Sequence, residues 1–403
     1  MFLFLKNTAF TILALCSFSL CASSVLSQFI DPLDGKFDAS SYLAENAYGF
    51  LPVPIIITDP ALNGGLGAVG IFFHESQEDA EKRKEAMRHS ENAAQHLLPP
   101  NVTAVAAGYT GNDSWFSGAG HLGFFNQGKI RYMGGVGYGD INLNFYGFGD
   151  LNFNKALELN TQAFAAIQKL KFKIPESNFY IGFNQRYIDA SISPTHLPDF
   201  GAVFPPHWEK PLEDLFRSLL TSEVTTSGLG VSLQFDNRDN FFSPQSGYSY
   251  TLDITRFDDA IGSDIEYDLF DFEGLNYFKI NDDFHLGLKL AAEHVATNTL
   301  LPPFAMPSMR IRGVPIGRYQ GEYAVATEAE LNYNIDNRWT LSAFSGIGRV
   351  ANSFDELKES NSRVGKGVGF RYLIARRYGF KMGLDVAFGP EETVWYVQAG
   401  SAW

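Results

Sequence analysis

The stretch Val224-Thr-Thr-Ser-Gly-Leu-Gly-Val-Ser-Leu-Gln-Phe-Asp236 decides the fold class, because larger apolar residues and small or polar residues alternate along it. A period of two is the pattern of a β-strand that has one apolar and one polar face. The same pattern recurs from Phe284 to Ala296 and from Phe380 to Phe388. Turn residues separate such segments along most of the chain, so the sequence predicts an all-β protein.

Two all-β architectures accommodate this pattern. In a soluble sandwich the apolar faces form a core, whereas in a transmembrane barrel they contact lipid. Three features favour the barrel. The segments reach the roughly 9 to 11 residues that cross a bilayer, and aromatic residues cluster near their ends, as in interfacial girdles. The N-terminus also resembles a secretory signal, with Lys6 ahead of an apolar core and small residues at 22–24. A soluble periplasmic β protein is the less favoured alternative.

The alternation and the turns predict an antiparallel barrel of about sixteen strands. The predicted strands span residues 66–74, 101–110, 114–125, 129–139, 141–148, 156–174, 177–192, 223–236, 247–257, 264–281, 283–296, 321–335, 338–350, 363–375, 378–388 and 393–403. An even number of strands would place both termini on the periplasmic side. The long connections at 75–100, 193–222 and 297–320 are then expected on the outer side.

The predicted organisation has three parts. Residues 1–24 are a signal peptide, residues 25–53 a short periplasmic N-terminal segment, and residues 54–403 the outer-membrane barrel. Both cysteines, Cys16 and Cys21, lie within the signal peptide, so no disulfide is expected in the exported chain.

The composition argues against several functional classes. The net charge of −14 and the lack of a basic stripe argue against nucleic-acid binding. The glycines at 65, 67 and 70 match G-x-G-x-x-G, but no βαβ unit follows them. Neither a zinc-type spacing of His and Cys nor a nucleophile elbow occurs outside the signal peptide. We therefore predict no catalytic residues, no metal, no cofactor and no enzymatic activity.

The segment Met309-Arg-Ile-Arg-Gly-Val-Pro-Ile-Gly-Arg-Tyr-Gln-Gly321 has neither the helical nor the strand period, and we interpret it as a lid. Its motif residues are Arg312, Gly313 and Gly317. The two glycines would let the backbone fold tightly into a narrow lumen. A guanidinium can anchor such a loop through paired hydrogen bonds to a carboxylate. The inward acids of the late strands that we expect to hold it are Asp385, the preferred partner, and Glu330 and Glu328. A solvated Arg312 is the alternative.

Two stretches resemble motifs of the BamA/TamA outer-membrane assembly superfamily, also called bacterial surface antigens. Gly228-Leu-Gly230 running into residues 236–247 is similar to the family's D-x-R-D-x-x-x-x-P-x-x-G periplasmic turn. The matching residues are Asp236, Arg238, Asp239, Pro244 and Gly247. Arg312-Gly313-Val314 looks like its R-G-F/Y lid loop, and Trp403 like the aromatic end of its last strand, the C-terminal barrel signal. The chain resembles a barrel-only member without polypeptide-transport-associated repeats.

The resemblance implies a function at the outer membrane. It implies an inward-folded lid and a weak seam between the first and last strands, predicted at 66–74 and 393–403. Relatives use the seam to insert or translocate protein or lipid clients. The implied partners are outer-membrane lipid, possible protein clients and periplasmic factors, with a monomer as the favoured state. The alternative function is a passive pore or structural surface barrel that the lid plugs.

Overall fold

The computed structural model describes residues 28–45, 50–57, 62–76, 99–148, 151–195, 221–315 and 317–403, together with isolated positions between 78 and 85 and residue 210. The predicted signal peptide, with Cys16 and Cys21, lies outside the described residues. Within the described part of the chain, no helix is long and apolar enough to span a bilayer.

Sixteen antiparallel strands form one sheet, and each strand is hydrogen-bonded to its neighbours in sequence. The strands are Phe50–Ile57 (β1), Gly65–His74 (β2), Asn101–Thr110 (β3), Trp115–Phe125 (β4), Ile130–Phe148 (β5), Leu151–Lys173 (β6), Phe179–Pro194 (β7), Ser222–Asp236 (β8), Gly247–Phe257 (β9), Tyr267–Lys279 (β10), Phe284–Ala296 (β11), Tyr323–Asn334 (β12), Trp339–Ala351 (β13), Arg363–Ala375 (β14), Phe380–Phe388 (β15) and Thr393–Ala399 (β16). Short α-helices span Ser40–Glu45 (α1) and Phe354–Glu359 (α2), and 3-10 turns span Asp259–Ile261 and Arg376–Tyr378.

The apolar face of the sheet is exposed and the polar face is buried, which is the reverse of the pattern in a soluble protein. In β8 the apolar Leu229, Val231 and Leu233 are 51%, 45% and 46% exposed. The polar Thr226 and Ser232 on the other face are fully buried. An apolar belt outside and polar residues inside are the pattern of a transmembrane β-barrel. The predicted all-β, sixteen-stranded antiparallel barrel is confirmed.

The number of strands agrees with the prediction through two differences that cancel. The predicted strands 129–139 and 141–148 are one strand, β5. The structure adds β1, which begins four residues before the predicted start of the barrel at residue 54. The predicted strand list does not contain β1, whose residues 52 and 54 are prolines, which cannot donate to a ladder and argue against a strand.

The extra first strand reverses the predicted location of one connection. Because successive strands alternate in direction, β2 ends and β3 begins at the same end of the barrel as the 237–246 turn. We call this the turn end, and the opposite end, which carries residues 297–322, the loop end. The prediction that 75–100 shares a side with the 297–320 connection is therefore wrong.

Residues 28–45, which we call the N-terminal strap, cover part of the turn end. Arg338, in the β12–β13 turn, is fully buried and donates to Asp31 and Asp38 at 2.5 Å and to Asp34 at 2.6 Å. Arg376 also donates to Asp31. The strap is thus fixed to the barrel by buried ion pairs.

A hydrophobic cluster lies beneath the strap. Its buried members are Ala39, Leu51, Val53, Ile71, Phe73, Ala375, Tyr378 and Phe380. They come from the strap, from β1 and β2 at one edge of the sheet, and from the end of β14, the following 3-10 turn and β15 near the other edge. Side-chain packing therefore joins the two edges of the sheet at the turn end.

Candidate functional site: an arginine anchor inside the barrel

The lid loop, residues 297–320, follows β11 and folds back into the barrel. Leu301 packs in a buried cluster with side chains of β9, β10 and β11. Further along, Met309, Ile311 and Val314 pack with Ala326 of β12. Val314 is only 5% exposed, so an aliphatic side chain fills this buried place. These contacts fix the loop on both sides of Arg312.

Two glycines make room for the loop where it touches the barrel wall. Gly313 has φ +93°, a conformation that favours glycine, and its N–H donates to the Tyr396 hydroxyl at 3.0 Å. On β14, a Cβ at Gly365 would lie 2.0 Å from the Arg312 carbonyl oxygen. A side chain at either position would move the loop away from the wall.

Arg312 reaches all three predicted acids. Its backbone N–H and Nε donate to Glu328 Oε2 at 3.1 and 3.3 Å. Nη1 donates to Glu330 Oε2 at 2.6 Å and to Asp385 Oδ2 at 2.9 Å. Arg312 is 7% exposed and Asp385 is fully buried, so the contacts exclude most solvent. Charge-assisted hydrogen bonds of this kind are among the strongest in proteins.

A second arginine, which the prediction did not include, shares the site. Arg371 of β14 donates to both oxygens of Asp385, at 2.5 and 3.0 Å. Gln398 of β16 donates to the same carboxylate at 3.1 Å. The alternation within β14 places Arg371 opposite the exposed Val368 and Phe370, so the strand pattern could have identified it as an inward cation. We call Arg312, Arg371, Glu328, Glu330 and Asp385 the lid anchor.

Aromatic side chains complete the surroundings of Arg312. Its guanidinium carbon lies 3.6 Å from the ring centre of Phe344, within the range of a cation–π contact. Trp403 lies inside the lumen, 5.6 Å from the same guanidinium, and its Nε1 donates to Glu328 Oε1 at 3.1 Å. The residue predicted as the C-terminal barrel signal thus also contacts the lid anchor.

The electrostatics favour a charged anchor. Two guanidinium groups face three carboxylates, and neutral donors such as Asn332, at 3.1 Å from Glu330, solvate the remaining charge. Burial alone would lower the pKa of Arg312. The charges of Glu330 and Glu328 outweigh that effect, so its pKa is raised. The arginine remains protonated, and Nη2 is a buried donor with no protein partner.

The other two lid arginines are more exposed than Arg312. Arg310 is 59% exposed and forms an ion pair with Glu293 of β11. Arg318 lies with its guanidinium 5.7 Å from the ring centre of Tyr319. Gly317 has φ +70°, and a Cβ atom at this position would have no other atom within 4 Å. The backbone conformation, and not crowding by neighbours, therefore favours glycine there. Of the three cations, Arg312 is the one that is buried.

The turn-motif residues form a separate set of contacts at the turn end. Asp236 accepts from Arg238 at 3.0 and 3.1 Å and from Arg131 of β5 at 2.6 Å. Asp239 caps the turn by accepting from the Gln245 N–H at 3.0 Å. Gly247 has φ +101°, and Pro244 is buried. These contacts fix the shape of the β8–β9 turn, and none of them reaches the lid anchor.

The comparisons with known proteins agree with this architecture. The model of the Omp85 superfamily domain matches residues 139–388, more than half of the chain. No curated protein matches the chain.

Among solved structures, BamA from Haemophilus ducreyi lacking POTRA domains 1–3 is similar, with a TM-score of 0.51 and 12% identity over 87% of this chain and 70% of that chain. CdiB from Acinetobacter baumannii has a TM-score of 0.52 and 11% identity, and CdiB from Escherichia coli 0.52 and 13%. Each match covers 87% of this chain but only 58% and 62% of the respective CdiB chains. At such identities the likeness concerns the fold. The family match carries the assignment: the chain belongs to the Omp85 superfamily, whose members are outer-membrane β-barrels of bacteria.

Proposed function

We propose that this barrel assists the insertion or translocation of protein clients at the bacterial outer membrane, through the seam between β1 and β16. The observation that carries the proposal is the order of the sheet. Hydrogen-bonded ladders link every successive pair from β1 to β16, and no ladder among the described residues joins β16 back to β1. An unpaired strand edge is a template for another strand, and in lipid its backbone groups need partners.

The lid anchor supports this proposal because it holds the loop beside the seam. Asp385 and Gln398 lie on the last two strands, and Gly313 donates to Tyr396 of β16. Arg312 thus links the loop to the strands that form one side of the seam. In our proposal the loop keeps these strands in place while the seam exchanges partners.

A disulfide across the seam tests the proposal. The seam predicted from the sequence used residues 66–74, but these lie in β2, which is already paired on both edges. The disulfide therefore belongs in β1, with Ile56→Cys combined in turn with Trp395→Cys and Val397→Cys, whose side chains share the outward face of the sheet with Ile56. The matched control pairs Ala68→Cys with Ala107→Cys, which face each other across β2 and β3. Residues 16 and 21 are changed to serine throughout.

The assay follows the folding of an unfolded eight-stranded outer-membrane barrel that is added to vesicles containing the protein. We expect the protein to accelerate folding, the oxidised seam lock to abolish the acceleration, and reduction to restore it. The β2–β3 lock should have no effect. Equal acceleration with the seam locked would contradict a role for the seam, and no acceleration by the unlocked protein would contradict assistance of protein insertion.

A passive pore plugged by the lid is the second candidate function. A cavity of about 460 Å³ favours it, because polar and charged side chains of the inner wall line much of this cavity, among them Arg131, Lys169 and Asp253. Conductance separates the two functions, because a pore requires ion flow and strand exchange does not.

A further inference from the structure

The two edges of the seam differ in their backbone chemistry, and two prolines in β1 cause the difference. In an antiparallel ladder, residues whose N–H and C=O point at the partner strand alternate with residues whose groups point away. Pro52 lies opposite Gly70 and Pro54 opposite Ala68 in the β1–β2 ladder. A proline has no N–H, so it cannot complete the first kind of pair. Pro52 and Pro54 therefore direct their backbone away from β2 and toward the seam.

The seam edge of β1 thus consists of residues 50, 52, 54 and 56. All four present a carbonyl oxygen, but only Phe50 and Ile56 present an N–H. At Pro52 and Pro54 the ring occupies the place where a donor would be. By contrast, β16, Thr393–Ala399, contains no proline, so each of its residues retains its N–H. One edge of the seam lacks donors over its central residues, and the other edge is complete.

We propose that Pro52 and Pro54 make β1 a blocked edge, which keeps the seam from closing into a ladder, and that an extended polypeptide strand entering the seam pairs with β16. A strand aligned on β1 would leave two of its own carbonyl groups without donors. That loss is severe in lipid, where water cannot replace the missing bonds. A strand aligned on β16 meets alternating donors and acceptors, as β15 does on the other edge of β16.

The first half of the proposal concerns the chain alone and is tested by hydrogen exchange in detergent. In the wild type, the β16 amides that do not bond to β15 should exchange rapidly. The double variant Pro52→Ala, Pro54→Ala restores two donors to β1 and should slow exchange of those amides at least tenfold. Ile56→Ala, a change on the same edge that alters no N–H, should leave exchange unchanged.

Heat-modifiable gel migration establishes that each variant is a folded barrel, and the single variants Pro52→Ala and Pro54→Ala replace the double variant if it does not fold. Each restores one donor and should slow exchange at least threefold. Unchanged β16 exchange in folded variants would overturn the blocked edge. This measurement needs no client, so its outcome is independent of the proposed function.

The second half rests on the proposed use of the seam for strand exchange, and a synthetic peptide tests it. The probe has the sequence of β15, Phe380 to Phe388, because this sequence already pairs with β16. A photoreactive phenylalanine derivative replaces either Ile56 or Trp395, two lipid-facing residues that are 54% and 52% exposed. The expected result is at least tenfold more peptide captured at position 395 than at position 56. A version of the peptide with two prolines should lose this capture.

Equal or greater capture at position 56, or capture at neither position, would overturn the assignment of β16 as the receiving edge. Failure of the proposed function has a different signature, because it would abolish acceleration of barrel folding without changing where the peptide is captured.

Discussion

Arg312 is the residue on which the lid depends most. Replacing Arg312 by Ala leaves all three acids buried, and Arg371 remains as an ion-pair partner of Glu330 and Asp385. Removing one partner of a buried ion pair costs about 3–5 kcal/mol, because the other charge stays desolvated. We expect Arg312→Ala to release the lid loop, so that a protease cleaves it in the folded barrel. Limited proteolysis followed by mass spectrometry measures this change.

Two further variants separate charge from geometry at this position. Arg312→Lys keeps the charge, but one ammonium cannot bond three acids at these positions and cover the Phe344 ring, so intermediate cleavage is expected. Arg318→Ala is the matched truncation in the same loop at a partly exposed site, and it should change cleavage little. Protection of Arg312→Ala equal to that of the wild type would remove the anchor hypothesis.

The sequence predicts part of the lid anchor for a definable reason. Strand alternation identifies which residues point inward, so the sequence alone can place Glu328, Glu330, Asp385 and Arg371 on the inner face. It does not identify which inward residues meet across the lumen, because that depends on strand register and barrel curvature. The position of Trp403 could not be predicted from alternation either, because the chain departs from the strand conformation of β16 at Gly400, where φ is +86°.

At the scale of single elements, the N-terminal strap offers a test of the turn end. The pKa values of Asp31 and Asp34 are lowered, because bonds from Arg376 to Asp31 and from Arg338 to Asp34 outweigh the effect of burial. A lowered carboxylate pKa means that the stabilisation is complete above the ordinary value of 3.8 and is lost as the pH falls through the lower, folded value. The strap should therefore stay docked from pH 5 to pH 8 and detach only below about pH 4.

Protease cleavage within residues 28–45, measured with an acid protease at low pH, monitors detachment. Arg338→Ala should detach the strap even at pH 7, since Arg338 contacts all three strap aspartates. The control is Lys36→Ala, which removes only the exposed Lys36–Asp336 pair and should leave the strap docked. Detachment between pH 5 and pH 7 in the wild type would contradict the assigned role of the aspartates.

Strand β1 shows why local patterns fail at the edge of a sheet. Its residues 51 and 53 point inward and are buried while 52 and 54 are exposed, so the period of two is present. The two prolines weaken this strand signal, because a proline usually argues against a strand. Only the pairing with β2, a contact between segments separate in sequence, establishes that the segment is an edge strand. That omission also displaced the predicted seam by one strand.

At the scale of the whole molecule, the lid loop determines whether the lumen conducts. A sixteen-stranded barrel is wide enough to hold an aqueous channel. Here Met309, Ile311 and Val314 of the loop are buried against the inner wall, and Trp403 also enters the lumen. We expect the wild type to pass little current in a planar bilayer and deletion of residues 301–320 to raise the single-channel conductance severalfold. Arg312→Ala should give brief openings, because the loop loses its anchor but remains in the lumen.

The matched control shortens another connection at the loop end, by replacing α2 with a Gly-Ser linker. Phe354 of α2 is 59% exposed and the helix buries no residue, so its removal should leave the current unchanged. Conductance that rises equally in both deletions would show general damage to the loop end and not removal of a plug. If neither the wild type nor the lid deletion conducts, the remaining side chains fill the lumen, and the pore alternative fails while the seam proposal stands.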